Sequence, residues 1–240
     1  MNQNIILIET STALCSVALA ENGVLTAYRE SSAPKAHASL TAVFVQEVLD
    51  ERGLTLSDCD AVCVSKGPGS YTGLRVGVST AKGLCFGSGL PLLAAGTLDT
   101  LVAQAQMADQ AGHELIGDPK FIIPMIDARR MEVYAAVFAC HPGSAPYRQI
   151  TETAPAIIDE NSFAEYLEQG SCLFIGDGAG KCADVIKHPN AHFCQCHPKA
   201  SSMLSPAIAA FRAGDFEDVA YFEPFYLKEF VATVSKKKLW

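Results

Sequence analysis

Ile5-Ile6-Leu7-Ile8 is an unbroken apolar run closed by Glu9. A run of that length predicts a short strand buried on both faces. Residues 10–14 are polar and tight, and residues 15–20 alternate into a second strand. Asn22-Gly23 is a two-residue hairpin signal, so residues 24–30 read as a third strand. Leu40, Val43, Phe44, Val48 and Leu49 recur at helical spacing within residues 38–52, and Gly53 suits the C-cap. A strand at residues 61–65 runs into a glycine-rich turn and a helix over residues 74–87. A strand at residues 91–95 follows, with Thr97 as cap of a helix over residues 98–107. Residues 109–120 are polar and form the best linker. Beyond it come strands at 121–127 and 131–139 around a turn at 128–130, a helix near 161–169 and a strand at 172–175. The loop 176–180 and helices near 183–187 and 205–213 complete the pattern.

The pattern restarts after the linker. Ile5-Ile6-Leu7-Ile8-Glu9-Thr10-Ser11 and Ile122-Ile123-Pro124-Met125-Ile126-Asp127-Ala128-Arg129 are each an apolar strand, an acid at its end and a short polar turn into a second strand. Two copies of one unit imply a duplicated fold. The plan resembles the actin, sugar-kinase and heat-shock ATPase superfamily, an α/β, ribonuclease H-like fold. The expected lobes are residues 1–108 and 109–240, each with a mixed sheet and flanking helices, the last helix and tail packing back on the first lobe. In that plan the tight turns face an interlobe cleft where nucleotide phosphates lie.

Composition narrows the function. With 240 residues, 49% hydrophobic and 18% charged, the chain can bury a core. No apolar run is long enough to span a bilayer. The first nine residues read as a strand rather than a signal peptide, so a cytoplasmic protein is expected. The net charge of −8 argues against an independent nucleic-acid binder, because phosphate neutralisation supplies most such affinity. The only basic cluster, Lys236-Lys237-Lys238, reads as a solvated tail more readily than as an RNA contact. Among nine cysteines, Cys15, Cys63, Cys85 and Cys172 sit in apolar stretches as small core residues. His192, Cys194, Cys196 and His197 are soft ligands in one short run, but structural zinc sites pair two knuckles across a longer loop, and no metal is expected there.

Gly67-Pro68-Gly69-Ser70-Tyr71-Thr72-Gly73-Leu74-Arg75 is the sharpest motif. It follows a strand and opens a helix, where free N–H groups and a partial positive charge suit an anion. It lacks the ending of a P-loop, and a plain tight turn explains it equally well. Gly176-Asp177-Gly178-Ala179-Gly180 is a second glycine-rich turn. The residues expected to face a nucleotide or phosphate are Glu9, Thr10, Ser11, Gly67, Pro68, Gly69, Ser70, Thr72, Asp127, Arg129, Gly176 and Gly178. Arg129 and Arg130 are placed to neutralise Asp127. His37 reads as a surface residue at the loop-to-helix junction, because Thr41 stands where a second imidazole would complete a metal-binding pair.

Ile8-Glu9-Thr10-Ser11, the Gly67–Arg75 loop, Ile126-Asp127-Ala128-Arg129 with Glu132-Val133-Tyr134, and Pro224-Phe225-Tyr226-Leu227-Lys228 together resemble the TsaB (YeaZ) family. These are bacterial accessory subunits for synthesis of threonylcarbamoyladenosine in tRNA. The resemblance implies a non-catalytic scaffold and activator that pairs with a TsaD-like catalytic subunit through the two helices of the first half. It implies a TsaE-like ATPase docking on the pair, ATP used by the assembled complex rather than held by this chain, and tRNA reached only through the complex. The paralogous catalytic subunit carries a His-x-x-x-His metal motif, whereas His37-Ala38-Ser39-Leu40-Thr41 keeps one histidine. Gly73, Gly77, Ala81 and Cys85 recur every four residues as a ridge suited to a partner helix, with Leu74, Arg75, Val78, Leu40 and Phe44 beside it; packing on the chain's own sheet is the competing reading. A self-complementary patch of this kind permits a homodimer when the partner is missing. An actin-like phosphotransferase and, less favoured, a metallopeptidase are the alternatives. The turn at residues 128–131 lacks the glycine that a phosphate needs, and no paired histidine is present.

Overall fold

The computed structural model describes residues 3–110, 119–141 and 144–228; the Lys236–Lys238 cluster and most of the expected linker lie outside them. The first sheet contains β1 (Asn4–Glu9), β2 (Cys15–Glu21), β3 (Val24–Ser31), β4 (Ala61–Gly67) and β5 (Leu92–Gly96), in the order β3-β2-β1-β4-β5. The β1 strand pairs antiparallel with β2 and parallel with β4. The Asn22-Gly23 hairpin forms as its residue types dictate, both positions having positive φ.

The second sheet repeats the scheme. It is built on β6 (Phe121–Asp127), β7 (Glu132–Ala135), β10 (Ala154–Ile157), β11 (Cys172–Gly176) and β12 (Ala191–Gln195), in the order β10-β7-β6-β11-β12. Again the founding strand, β6, pairs antiparallel with the strand after it and parallel with β11. A hairpin of β8 (Phe138–His141) and β9 (Ser144–Gln149) is added beside β6. The duplicated actin-like α/β fold expected from the repeat is therefore present in the strand order itself.

Helices cover both sheets. On one face of the first sheet, α1 (Ala36–Arg52) and α2 (Tyr71–Ser88) close over Ile6, Ile8, Val17 and Val64. On the other face, a 3-10 turn at Ala200–Met203 and α6 (Leu204–Ala213) cover Ile5, Leu7, Cys63 and Leu93. The two halves thus exchange elements: α6 belongs to the second half of the chain yet packs on the first sheet. Conversely α3 (Thr97–Gln110) lays Leu98, Leu101, Val102 and Ala105 on Ile122, Ile126, Leu173 and Ile175 of the second sheet. The opposite face of that sheet is covered by α4 (Ala164–Leu167) and α5 (Ala179–Ala183).

Several local expectations are corrected. The strand read over residues 131–139 is broken between β7 and β8, where Val137 N donates to Thr151 Oγ1 at 2.8 Å instead of continuing a ladder. The helix near 161–169 shrinks to the single turn of α4, entered through Phe163 at φ 62°. The helix near 183–187 starts earlier, inside the glycine-rich loop, as α5. Thr97 is the first residue of α3 rather than its cap, and its hydroxyl is buried with no partner among the described residues. The strands β9, β10 and β12 are not visible in the hydrophobic pattern; the burial pattern of β10 is exposed but for Ala156, and β12 is only half-buried.

The largest correction concerns α2. Gly73, Leu74, Gly77, Val78, Ala81 and Cys85, expected at a partner interface, are buried inside this chain, with exposures of 0–4% for the four side chains beyond glycine. Phe44 is likewise buried in the same core, and Leu40 packs against it. The reason is the approach of α2 to the turn after β1: a methyl group at Gly73 would overlap the Thr10 carbonyl oxygen, and one at Gly77 would overlap Thr10 Oγ1. The ridge is small because it lies against its own sheet. Of that set Arg75 alone is exposed, with its guanidinium 4.5 Å over the Tyr71 ring.

Gly77→Ala should therefore destabilise the chain by about 1–3 kcal/mol through overpacking. Gly83→Ala, on the outward side where nothing lies within 4 Å, should stabilise it by about 0.5–1 kcal/mol through helix propensity. Urea denaturation of both variants checks the pair; equal effects would contradict this orientation of α2.

Candidate functional site

The two lobes face each other across a cavity of about 610 Å³. Its first-lobe wall is the turn Ser11-Thr12-Ala13 with the start of α2 from Pro68 to Thr72, and His37 beside them. Its second-lobe wall is Asp127, Ala128, Arg129, Tyr134 and Asp177, while Phe225, Tyr226, Leu227 and Lys228 close one side.

The first wall is built by backbone contact. Ser70 N donates to the Ser11 carbonyl at 2.6 Å, and Ser70 Oγ caps α2 by accepting from Gly73 N at 3.3 Å. Gly69 has no room for a side chain, because a methyl group there would overlap the Ser11 carbonyl oxygen. The loop therefore delivers the N-terminus of α2, the positive end of its dipole, to the cleft. Ser11 Oγ and Thr12 Oγ1 are buried, line the cavity and lack a hydrogen-bond partner among the described residues. His37 is not merely a surface residue: its Nε2 donates to the Thr12 carbonyl at 2.8 Å, which holds the ring against the cleft. The position of a second imidazole is taken by Thr41, whose hydroxyl donates to the His37 carbonyl at 2.6 Å.

Glu9 does not reach the cavity. It is fully buried behind the turn, with Oε1 accepting from Ser11 N at 2.6 Å and Oε2 unpartnered among the described residues. Burial pushes its pKa up to about 7, against a partial opposing pull from the hydrogen bonding of its carboxylate. Thr10 is equally buried, beneath Gly77. Asp127, its counterpart on β6, is exposed and solved differently. It pairs with Lys181 of α5 and accepts from Arg129 N at 2.9 Å, while its own N donates to Asp177 Oδ1 at 2.9 Å. Lys181 also donates to the carbonyls of Arg130 at 2.8 Å and Glu132 at 2.6 Å, so it ties the whole turn in which Arg129 and Arg130 have positive φ. The neutralising partner of Asp127 is thus Lys181, not the two arginines. Asp177, whose pKa is raised by burial, belongs to the same knot.

Of the residues expected to face a phosphate, Ser11, Pro68, Gly69, Ser70, Thr72, Asp127 and Arg129 line the cavity. Glu9 and Thr10 do not, for the reasons given. Gly67 is covered by the Phe225 carbonyl, Gly176 packs on the Met125 carbonyl, and Gly178 is wedged against Val133 and the Asp127 amide. His37, Tyr71, Tyr134, Asp177 and residues 225–228 are cleft residues that sequence reasoning did not place. Tyr71, Tyr134, Asp177 and the last group stand inside motifs already quoted, the Gly67–Arg75 loop, Glu132-Val133-Tyr134, the Gly176–Gly180 turn and Pro224–Lys228, while His37 stands in none of them. Among the described residues no three His, Cys, Asp or Glu side chains converge as a metal site, the His192–His197 run included. Among the described residues no helix is long and apolar enough to cross a membrane.

A two-lobed α/β chain with this cleft matches the family model of the tRNA N6-adenosine threonylcarbamoyltransferase TsaD over residues 30–221. A TsaD of Ruegeria pomeroyi is 37% identical over 81 residues, 34% of this chain and 22% of that protein. The similarity is far more extensive to the TsaB biosynthesis protein of Escherichia coli K12, 31% identical over 233 residues, 95% of this chain and 96% of that one. YeaZ of Pseudomonas aeruginosa superposes with a TM-score of 0.79 at 27% identity, covering 94% of this chain and all of that one. The chain belongs to the TsaB family of tRNA threonylcarbamoyladenosine biosynthesis proteins.

The buried carboxyl of Glu9 has a measurable consequence. It keeps its proton up to about pH 7 in the folded state, whereas the unfolded chain releases it near 4.5. The folded state then binds the extra proton between these values, so the Glu9 contribution to stability falls as pH rises through that window and is flat above it. Glu9→Gln removes the slope and should gain on the parent by up to about 3 kcal/mol between pH 4.5 and 7.5. Urea denaturation across that range checks it, and a difference independent of pH would refute it.

Proposed function

We propose that this protein is the non-catalytic accessory subunit of the assembly that transfers threonylcarbamoyl to the adenosine beside the tRNA anticodon. It acts in the cytoplasm and docks a TsaD-like catalytic subunit on the outward faces of α1 and α2. The observation that carries the docking is the composition of those faces. Phe86 is 87% exposed and Val43 45% exposed, and Gly83 and Gly87 have nothing within 4 Å where a side chain would start. With Ala42 and Ser79 they leave exposed small and apolar positions on two helices in contact with each other, onto which another helix pair can pack closely. A TsaE-like ATPase joins the pair, the assembled complex uses ATP, and tRNA is reached through the partner, in keeping with the net charge of −8. A second copy of this chain is an alternative occupant of the same face when the partner is missing.

Gly83→Arg places a long cation in the middle of this face without touching the chain's own core. The variant should melt with the parent yet lose at least about tenfold in affinity for the catalytic subunit, with a parallel loss of modification by the assembly. Isothermal titration and an activity assay of the reconstituted complex check this; undiminished pairing would move the interface elsewhere.

A second reading is favoured by Ser11, Thr12 and the first turn of α2: the cleft takes a phosphate-bearing ligand such as Mg²⁺-ATP. Binding to the folded chain alone would raise stability by about 2.7 kcal/mol at a hundredfold excess over Kd. A thermal scan showing no shift up to millimolar ATP would remove it.

A further inference from the structure

The segment from residue 216 to 228 leaves the last helix and crosses the molecule. Glu217 N donates to the Leu92 carbonyl at 2.8 Å on β5. Lys82 of α2 donates to the carbonyls of Ala220 at 3.1 Å and Phe222 at 2.9 Å. Phe225 N donates to the Lys66 carbonyl at 2.7 Å at the end of β4. Gly67 makes room for this crossing, since a methyl group there would lie 2.9 Å from the Phe225 carbonyl oxygen. The Tyr226 ring then sits 4.9 Å from Tyr71, and Lys228 pairs with Glu132 of β7 on the second lobe.

The two ends of this path are held unequally. Up to Phe222 the segment is anchored to the first lobe by backbone hydrogen bonds, by a lysine that satisfies two carbonyls, and by Val219 and Phe222 packed on the core. Beyond Phe225, among the described residues, it reaches the second lobe through one ion pair whose side chains are 44% and 22% exposed. Such a pair contributes little on its own.

We propose that residues 216–228 are a strap that closes the mouth of the interlobe cleft and opens at its far end. The stretch before Phe225 stays fixed to α2 and the first sheet, and residues 225–228 swing when Lys228 leaves Glu132, the Phe225 amide parting from the Lys66 carbonyl and the Tyr226 ring from Tyr71. The cleft is thereby gated by this chain's own segment, independently of what docks on α1 and α2 or enters the cleft.

Hydrogen exchange of the full chain, followed peptide by peptide, tests the strap. Glu132→Gln and Lys228→Met should each speed exchange about three- to tenfold in residues 225–228 and in the first turn of α2. Residues 217–222, β1 and β6 should keep their parent rates. The charge-reversed double variant, Glu132→Lys with Lys228→Glu, should return the fast peptides to within about twofold of the parent. Parent-like rates in the single variants would overturn the latch. Faster exchange spread over 217–222 or over both sheets would overturn the gate, because the segment or the whole chain would then be loosening together. A folded double variant that fails to restore protection would show that the ion pair is not what holds the strap.

Discussion

The contact between α2 and the turn after β1 decides most of this structure. Two carbonyl oxygens, of Thr10 and Ser11, occupy the space where side chains of Gly73 and Gly69 would begin, and Thr10 Oγ1 occupies that of Gly77. A helix can come this close to a strand end only along a line of residues without side chains. The approach has two consequences. It delivers the N-terminus of α2 to the cleft, and it fixes which side of α2 faces outward, while Glu9 is buried behind the same turn on the opposite face of the sheet.

Sealing Glu9 has an electrostatic result that distinguishes the two halves of the duplication. Both halves end their founding strand in an acid, but the acids meet opposite environments. In the first lobe the carboxyl is closed in behind the turn, in register with Ile5 and Leu7 on the face covered by the Ala200–Met203 turn, and burial pushes its pKa up to about 7. In the second lobe the following helix, α5, is a single short element, and it contributes Lys181 instead of a glycine line. Lys181 satisfies the carboxylate and two carbonyls at once, which frees the turn to adopt positive φ at Arg129 and Arg130 without a glycine. The same supersecondary unit is thus closed by packing in one copy and by a cation in the other.

These features were unequally legible in the sequence. The strands β1, β4, β6 and β11 announce themselves because they are buried on both faces and read as apolar runs, and β2 by its alternation. The strands β10 and β12 are largely exposed or half-buried edges, so no hydrophobic signal marks them. The acids at the strand ends and the glycine-rich loop were read as a site, and their loops do meet at the cleft. Which of them face it depends on depth, and depth was set by α2 lying on Thr10, a tertiary fact. Tyr71 and Asp177 stood inside the two glycine-rich loops but were not singled out within them, and Lys181 comes from a sequence position with no local pattern. The spacing of Gly73, Gly77, Ala81 and Cys85 correctly marked a close helix contact, but spacing is silent on whether the neighbour is a strand of the same chain or another molecule.

That ambiguity resolves once both sides of α2 are considered together. Ser79, Gly83 and Gly87 repeat the four-residue spacing two positions further on, roughly 200° round the helix from the buried line. One small-residue line is consumed by the sheet, and on the other a side chain starting at Gly83 or Gly87 would meet nothing within 4 Å. The only charged residues of α2 are Arg75 and Lys82, and both are engaged, Arg75 over the Tyr71 ring and Lys82 with the carbonyls of the strap. Arg75 opens the outward line, four residues before Ser79, and stays exposed with its guanidinium over the Tyr71 ring, so the line is charged at its N-terminal end and small and uncharged from Ser79 to Gly87. The two lines therefore differ in kind: the buried one is small because Thr10 leaves no room beside it, whereas nothing within the chain requires Gly83 or Gly87 to be small.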